Sequence, residues 1–140
     1  MGLSAARPVP EIIADFLSAG PYAVVGASTN REKFGNKVLR AYLRKGMKVY
    51  PINPRAEEIE GVRAYPDFRS LPERVRGVSI ITPPPITETV VVEAADAGAR
   101  FVWMQPGAES EESVRLARER GLEVIADGSC FLVETGFRGP

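Results

Sequence analysis

Histidine is absent from this chain of 140 residues. The commonest metal ligand and the commonest general base at neutral pH are therefore missing. That argues against zinc chemistry, a Ser-His-Asp triad and phosphohistidine transfer within the chain. Cysteine occurs once, as Cys130, so no disulfide forms inside the chain and a reducing compartment is expected. No apolar run approaches the roughly 20 residues that span a bilayer. Met1 to Val9 lacks the apolar centre of a secretory signal. The expectation is a cytoplasmic protein. Net charge is missing too: 18 basic residues face 18 acidic ones, so no field of one sign marks nucleic acid or a membrane as the main partner. Glutamine occurs once and asparagine three times, while arginine outnumbers lysine 14 to 4; such a composition points to a thermophilic source.

What is present is globular. Hydrophobic residues make up 44 %, and the length suits one domain over residues 1–140, with its core at about 10–135. A helix-like stretch ending in glycine, followed by a short apolar run, recurs four times. The junctions are Gly20 before Tyr22–Val25, Gly46 before Lys48–Ile52, Gly98 before Phe101–Met104, and Gly121 before Glu123–Ala126. Glycine just past a helix end takes the left-handed conformation cheaply. Short strands that are almost wholly apolar are buried on both faces, as in a parallel sheet. Together with Val78–Thr82 this predicts five parallel strands near 22–26, 48–52, 78–82, 101–105 and 122–126. Helices are expected over Glu11–Ala19, Asn36–Lys45 and Ile86–Ala97, the last with Ile86, Val90, Ala94 and Ala97 inward. Ser110 reads as the N-cap of a further helix. Residues 56–76 are less regular, with a short strand near Val62–Tyr65. The fold class is α/β, a doubly wound Rossmann-like sheet flanked by helices, its first three strands forming a mononucleotide-binding half.

In such a sheet a ligand sits beyond the carboxyl ends of the strands. The first loop, Gly26-Ala27-Ser28 through Arg31, Lys33, Phe34 and Gly35 to Lys37, joins a strand-closing glycine to a helix start. Backbone N–H groups at such a junction bind anions. The loop is longer and more basic than the dinucleotide fingerprint of three glycines in six residues. The competing reading is a plain turn with solvated charges. After the second strand come Asn53, Pro54 and Arg55, where NAD enzymes usually place an acid on the ribose hydroxyls. A neutral residue followed by arginine suits a phosphorylated ribose, as in coenzyme A or NADP. Thr82, Pro83 and Pro84 make a rigid wall poor in donors. Gln105, Pro106 and Gly107 are expected at the mouth of the cleft, with Trp103 in the core. Cys130 follows the last strand, and no histidine is there to activate its thiol.

Gly26-Ala-Ser28, Lys33-x-Gly35, Val49-x-x-x-Asn53-Pro54, Thr82-Pro83-Pro84 and Trp103-x-Gln105-x-Gly107, in this order, resemble the stand-alone CoA-binding proteins. These are similar to the N-terminal CoA-binding domain of the succinyl-CoA synthetase α-subunit and of ADP-forming acyl-CoA synthetases. The resemblance implies coenzyme A across the strand ends. Gly26, Ala27, Ser28 and the Lys33–Gly35 segment would hold its phosphates. Asn53, Pro54 and Arg55 would meet the ribose end, Thr82, Pro83 and Pro84 the adenine or pantetheine path, and Gln105 the thiol end. The synthetases add a histidine-bearing domain and a nucleotide-binding subunit that this sequence lacks. The function implied is binding of coenzyme A or an acyl-CoA without catalysis of its own, as a homodimer or beside a separate catalytic subunit. The alternatives are an NADP-binding oxidoreductase-type domain, and an acyl-CoA enzyme or subunit that uses Cys130 or Asp127.

Overall fold

A computed structural model of the protein describes residues 7–139. The first six residues of the Met1–Val9 stretch lie outside the described residues.

Helix α1 (Val9–Leu17) places Pro10 in its first turn, where a missing N–H costs nothing, and buries Ile12, Ile13 and Phe16. Strand β1 (Tyr22–Val25) is buried throughout. Helix α2 (Phe34–Arg44) and strand β2 (Val49–Ile52) follow. A small hairpin of β3 (Glu58–Ile59) and β4 (Val62–Arg63) precedes β5 (Gly77–Ile80). The chain continues through α3 (Pro84–Asp96), β6 (Phe101–Met104) and α4 (Glu111–Glu119). It closes with β7 (Glu123–Ile125) and the short α5 (Phe131–Glu134). Ser110 caps α4 as expected. Its hydroxyl accepts from the Ser113 N–H, and the Ser113 hydroxyl accepts from the Ser110 N–H.

The five long strands form one parallel sheet in the order β2-β1-β5-β6-β7. The third of them is not beside β2, as a mononucleotide-binding half built from the first three strands would have it; β5 lies on the far side of β1. The place next to β2 is taken by a stub. Tyr65 bridges Ile52 in parallel, its N–H donating to Pro51 O and its C=O accepting from Asn53 N, both at 2.9 Å. With that stub counted as a strand, the spatial order is the 3-2-1-4-5-6 of dinucleotide folds. Residues 56–76 lack the apolar run needed for a full third strand, so one bridge and a hairpin stand in its place.

Alternate residues of each strand serve opposite faces. On one side Val24, Trp103 and Ile125 pack with Phe16 of α1, Tyr42 of α2 and Phe131 of α5. On the other Val25, Val78, Ile80 and Met104 pack with Val90 and Ala94 of α3 and Ala117 of α4. Ile86 departs from expectation. Helix α3 begins at Pro84, so its inward positions are Thr87, Val90, Val91 and Ala94, and Ile86 is 51 % exposed.

The first face contains an aromatic cluster. The Phe16 and Trp103 rings meet edge to face at 5.2 Å, and the Tyr42 and Phe131 rings stack at 4.1 Å. Tyr42 is fully buried and its hydroxyl shares a 2.7 Å hydrogen bond with Ser79 in β5. Burial pushes this phenol well above its ordinary value of 10.0, against the opposing pull of the Ser79 hydrogen bond. The fold therefore holds the proton more tightly than the unfolded chain does. Stability is full below pH 10 and falls as pH rises above it, by up to about 1.4 kcal/mol per pH unit for this group. Tyr42→Phe is expected to cost about 1–3 kcal/mol at pH 8, because the Ser79 hydroxyl loses its partner. The same change is expected to flatten the loss of stability between pH 10 and 11, which urea unfolding at the three pH values measures.

Candidate functional site

The carboxyl ends of β1, β5, β6 and β7 point to one side of the sheet, around the β1/β5 switch point. A cleft of about 510 Å³ opens there. Phe34, Thr82, Pro83, Pro106 and Gly107 of the expected residues line it, joined by Ile81, Ala108 and Cys130. A larger cavity of about 730 Å³, between Phe68–Arg74 and the last turn of α3, lies toward the amino ends of the strands, away from these loops.

Loop 1 is shaped by two glycines. Gly26 has φ +96°, and a Cβ there would lie 1.9 Å from the Ile81 carbonyl oxygen. At Gly35 a Cβ would lie 2.0 Å from the Gly26 carbonyl oxygen. The start of α2 is thus pressed against the end of β1, and only glycine permits it. Helix α2 has no side-chain cap. Among the described residues no backbone or side-chain acceptor meets the N–H groups of Phe34 and Gly35. Two free N–H donors at a helix start, with exposed Lys33 beside them, form an anion cradle.

A polar network holds the loop from behind. Asn36 is fully buried; its amide donates to Ser28 O at 2.9 Å and to Glu60 Oε2 at 3.0 Å, and its Oδ1 accepts from Arg40 Nε at 2.8 Å. Arg40 also donates to the Arg31 carbonyl at 3.1 Å. Arg31 pairs with Glu60 at 3.2 Å. The sequence reading missed Asn36, Arg40 and Glu60. The one local signal was Glu60-Gly61 between apolar Ile59 and Val62, a two-residue hairpin turn.

The second loop is tied to the first. Asn53 donates to the Ala27 carbonyl at 2.8 Å, and its Oδ1 accepts from the Arg55 and Ala56 N–H groups at 2.8 and 2.9 Å. Its amide is thereby committed to shaping both loops, while Pro54 and Arg55 are exposed. Lys37 is half-buried in α2. In the third loop the Thr82 hydroxyl pairs with Thr87 at 2.7 Å, and Pro84 opens α3. Gln105 is not at the mouth. It is fully buried, because its Oε1 accepts from the Phe131 N–H at 2.8 Å beneath the cleft floor; its Nε2 has no partner among the described residues. Trp103 is core, as expected, and its indole donates to Ser129 O at 2.9 Å. The Ser129 hydroxyl and N–H hold the Asp127 carboxyl below its usual range.

A family model described as "CoA binding domain" matches residues 21–136. The chain belongs to the CoA-binding domain family. The alpha subunit of the ADP-forming acetate–CoA ligase II of Pyrococcus furiosus is 29 % identical over 133 residues, 86 % of this chain and 29 % of the subunit. The chain therefore spans less than a third of that relative's length. A hypothetical protein from Pyrococcus horikoshii superposes with a TM-score of 0.86 at 29 % identity, covering 97 % of each chain. A conserved hypothetical protein of Pyrococcus furiosus is 43 % identical, with a TM-score of 0.75 over 81 % of this chain and 97 % of that one. This CoA-binding domain is thus related both to ligase subunits and to single-domain proteins of its own size. No helix among the described residues is long and apolar enough to cross a membrane.

Asn53 gives this architecture a direct test. Asn53→Asp keeps the acceptor for Arg55 and Ala56 but loses the donor to Ala27 and sets a carboxylate against that carbonyl. A loss of about 1–3 kcal/mol is expected, read from the urea midpoint, together with weaker binding of any ligand that uses loop 1.

Proposed function

We propose that the chain binds coenzyme A, or an acyl-CoA, across the carboxyl ends of β1, β5 and β6, without catalysis of its own. The observation that carries this reading is the uncapped start of α2. In a chain matching the CoA-binding model, it offers two free backbone N–H groups beside the cleft at the switch point. Those N–H groups and Lys33 suit the diphosphate. Arg55, exposed after β2, suits the ribose phosphate. Phe34, Ile81, Pro83 and Pro106 offer an apolar path for the pantetheine arm. Gly26, Ala27, Ser28, Gly35 and Asn53 give the loops their shape. Coenzyme A is favoured over NADP because loop 1 is long and basic and lacks the tight three-glycine turn.

The same reading carries the expectation of a cytoplasmic protein from a thermophile. It acts as a free-standing binder, as a homodimer, or beside a separate catalytic subunit that supplies the chemistry its relatives perform.

Thermal unfolding with coenzyme A, dephospho-coenzyme A and NADP tests the proposal. Coenzyme A at 100 times its dissociation constant is expected to add about 2.7 kcal/mol. A shift with NADP and none with coenzyme A overturns it. Arg55→Ala is expected to reduce the preference for coenzyme A over the dephospho form; unchanged preference removes Arg55 from the ribose phosphate.

A further inference from the structure

Glu60 occupies an unusual position. It is the first corner residue of the β3–β4 turn and has φ +53°, the one non-glycine positive φ among the described residues. Asparagine, aspartate or glycine fits such a corner more cheaply than glutamate does. Its carboxylate turns back across the hairpin to loop 1, with the side chain only 21 % exposed. There a single oxygen, Oε2, receives both Arg31 Nε at 3.2 Å and the Asn36 amide at 3.0 Å.

The surrounding charge is out of balance. Arg40 is 6 % exposed. Its guanidinium has no ion pair among the described residues, and its Nη1 has no hydrogen-bond partner there. Arg31 and Arg40 are close enough to repel, and Glu60 is the one acid that acts favourably on Arg40. One guanidinium and a buried amide are thus bonded to this carboxylate, and the Arg40 guanidinium, bonded to Asn36 Oδ1 and the Arg31 carbonyl, lies within its field, immediately behind the anion cradle of loop 1. A phosphate offers more negative charge and three acceptor oxygens, which meets the donors that a single carboxylate oxygen leaves unserved.

We propose that Glu60 is an internal counter-anion seated in a phosphate site formed by Arg31, Arg40 and Asn36, and that a phosphate of the bound ligand displaces it. This rests on the coenzyme A reading above. Without ligand, Glu60 keeps the arginines compensated and loop 1 closed. With ligand, Arg31 moves from the carboxylate to the phosphate, and the hairpin tip is released from loop 1. Glu60 thereby sets the threshold of binding, because the ligand must compete with it.

The test is isothermal titration of coenzyme A and dephospho-coenzyme A against the parent, Glu60→Gln, Arg31→Gln and the double variant. Glu58→Gln, an exposed acid on the same hairpin, controls for long-range charge. Glu60→Gln is expected to lower the melting temperature without ligand yet tighten coenzyme A binding about fivefold, the scale of one partly exposed ion pair. Glu58→Gln is expected to change it by less than half as much. In the Arg31→Gln background the gain from Glu60→Gln is expected to vanish, because the two groups no longer compete. Tightening confined to coenzyme A assigns the site to the ribose phosphate; equal tightening of the dephospho form assigns it to the diphosphate. Weaker or unchanged binding of both ligands by Glu60→Gln makes Glu60 a structural residue and overturns the inference alone. No binding of coenzyme A by the parent overturns the inference together with the reading beneath it.

Discussion

The contact between the Gly26 carbonyl and the α-carbon of Gly35 governs this molecule. No side chain fits between them. The first turn of α2 is therefore held under the end of β1, and its free N–H groups open at the switch point of the sheet. The rest of the site is built outward from that contact. Asn36, one position further along, reaches back to Ser28, and Asn53 fastens the loop after β2 to Ala27. Arg40 and Glu60 close the back of the loop. The cleft is thus framed mostly by hydrogen bonds to backbone carbonyls. Such bonds depend on the path of the chain more than on the identity of the residue that supplies the carbonyl.

The fold was largely legible in the sequence, because its signals are local. Four junctions of a helix-ending glycine with a short apolar run, and the separate apolar run Val78–Thr82, locate the five long strands to within two residues. The strand order was not legible in full. Placing β5 beyond β1 depends on what can lie next to β2, and that place is filled by a single bridge from Tyr65, too short to leave an apolar pattern. Ile86 shows the same limit at smaller scale: a two-residue shift of the helix start turned an inward residue outward.

The site was legible by position and less so by role. Residues at strand ends were found because topology fixes where ligands sit. Asn53 and Gln105 look like ligand residues in the sequence, yet their amides serve the backbones of Ala27 and Phe131. Polar side chains bonded to backbone leave no periodic trace. The same holds for the Asn36–Arg40–Glu60 network, whose partners are up to 24 residues apart.

The one tryptophan of the chain stands at an informative place. Trp103 is sealed in the core, but its indole N–H is bound to Ser129, one residue before Cys130 on the cleft wall. Indole emission depends on the polarity and hydrogen bonding around the ring, and no second tryptophan dilutes it. The protein thus carries an intrinsic optical probe wired to the floor of its own cleft. A ligand that shifts the 127–130 loop would be seen as a change of colour in a residue it never touches.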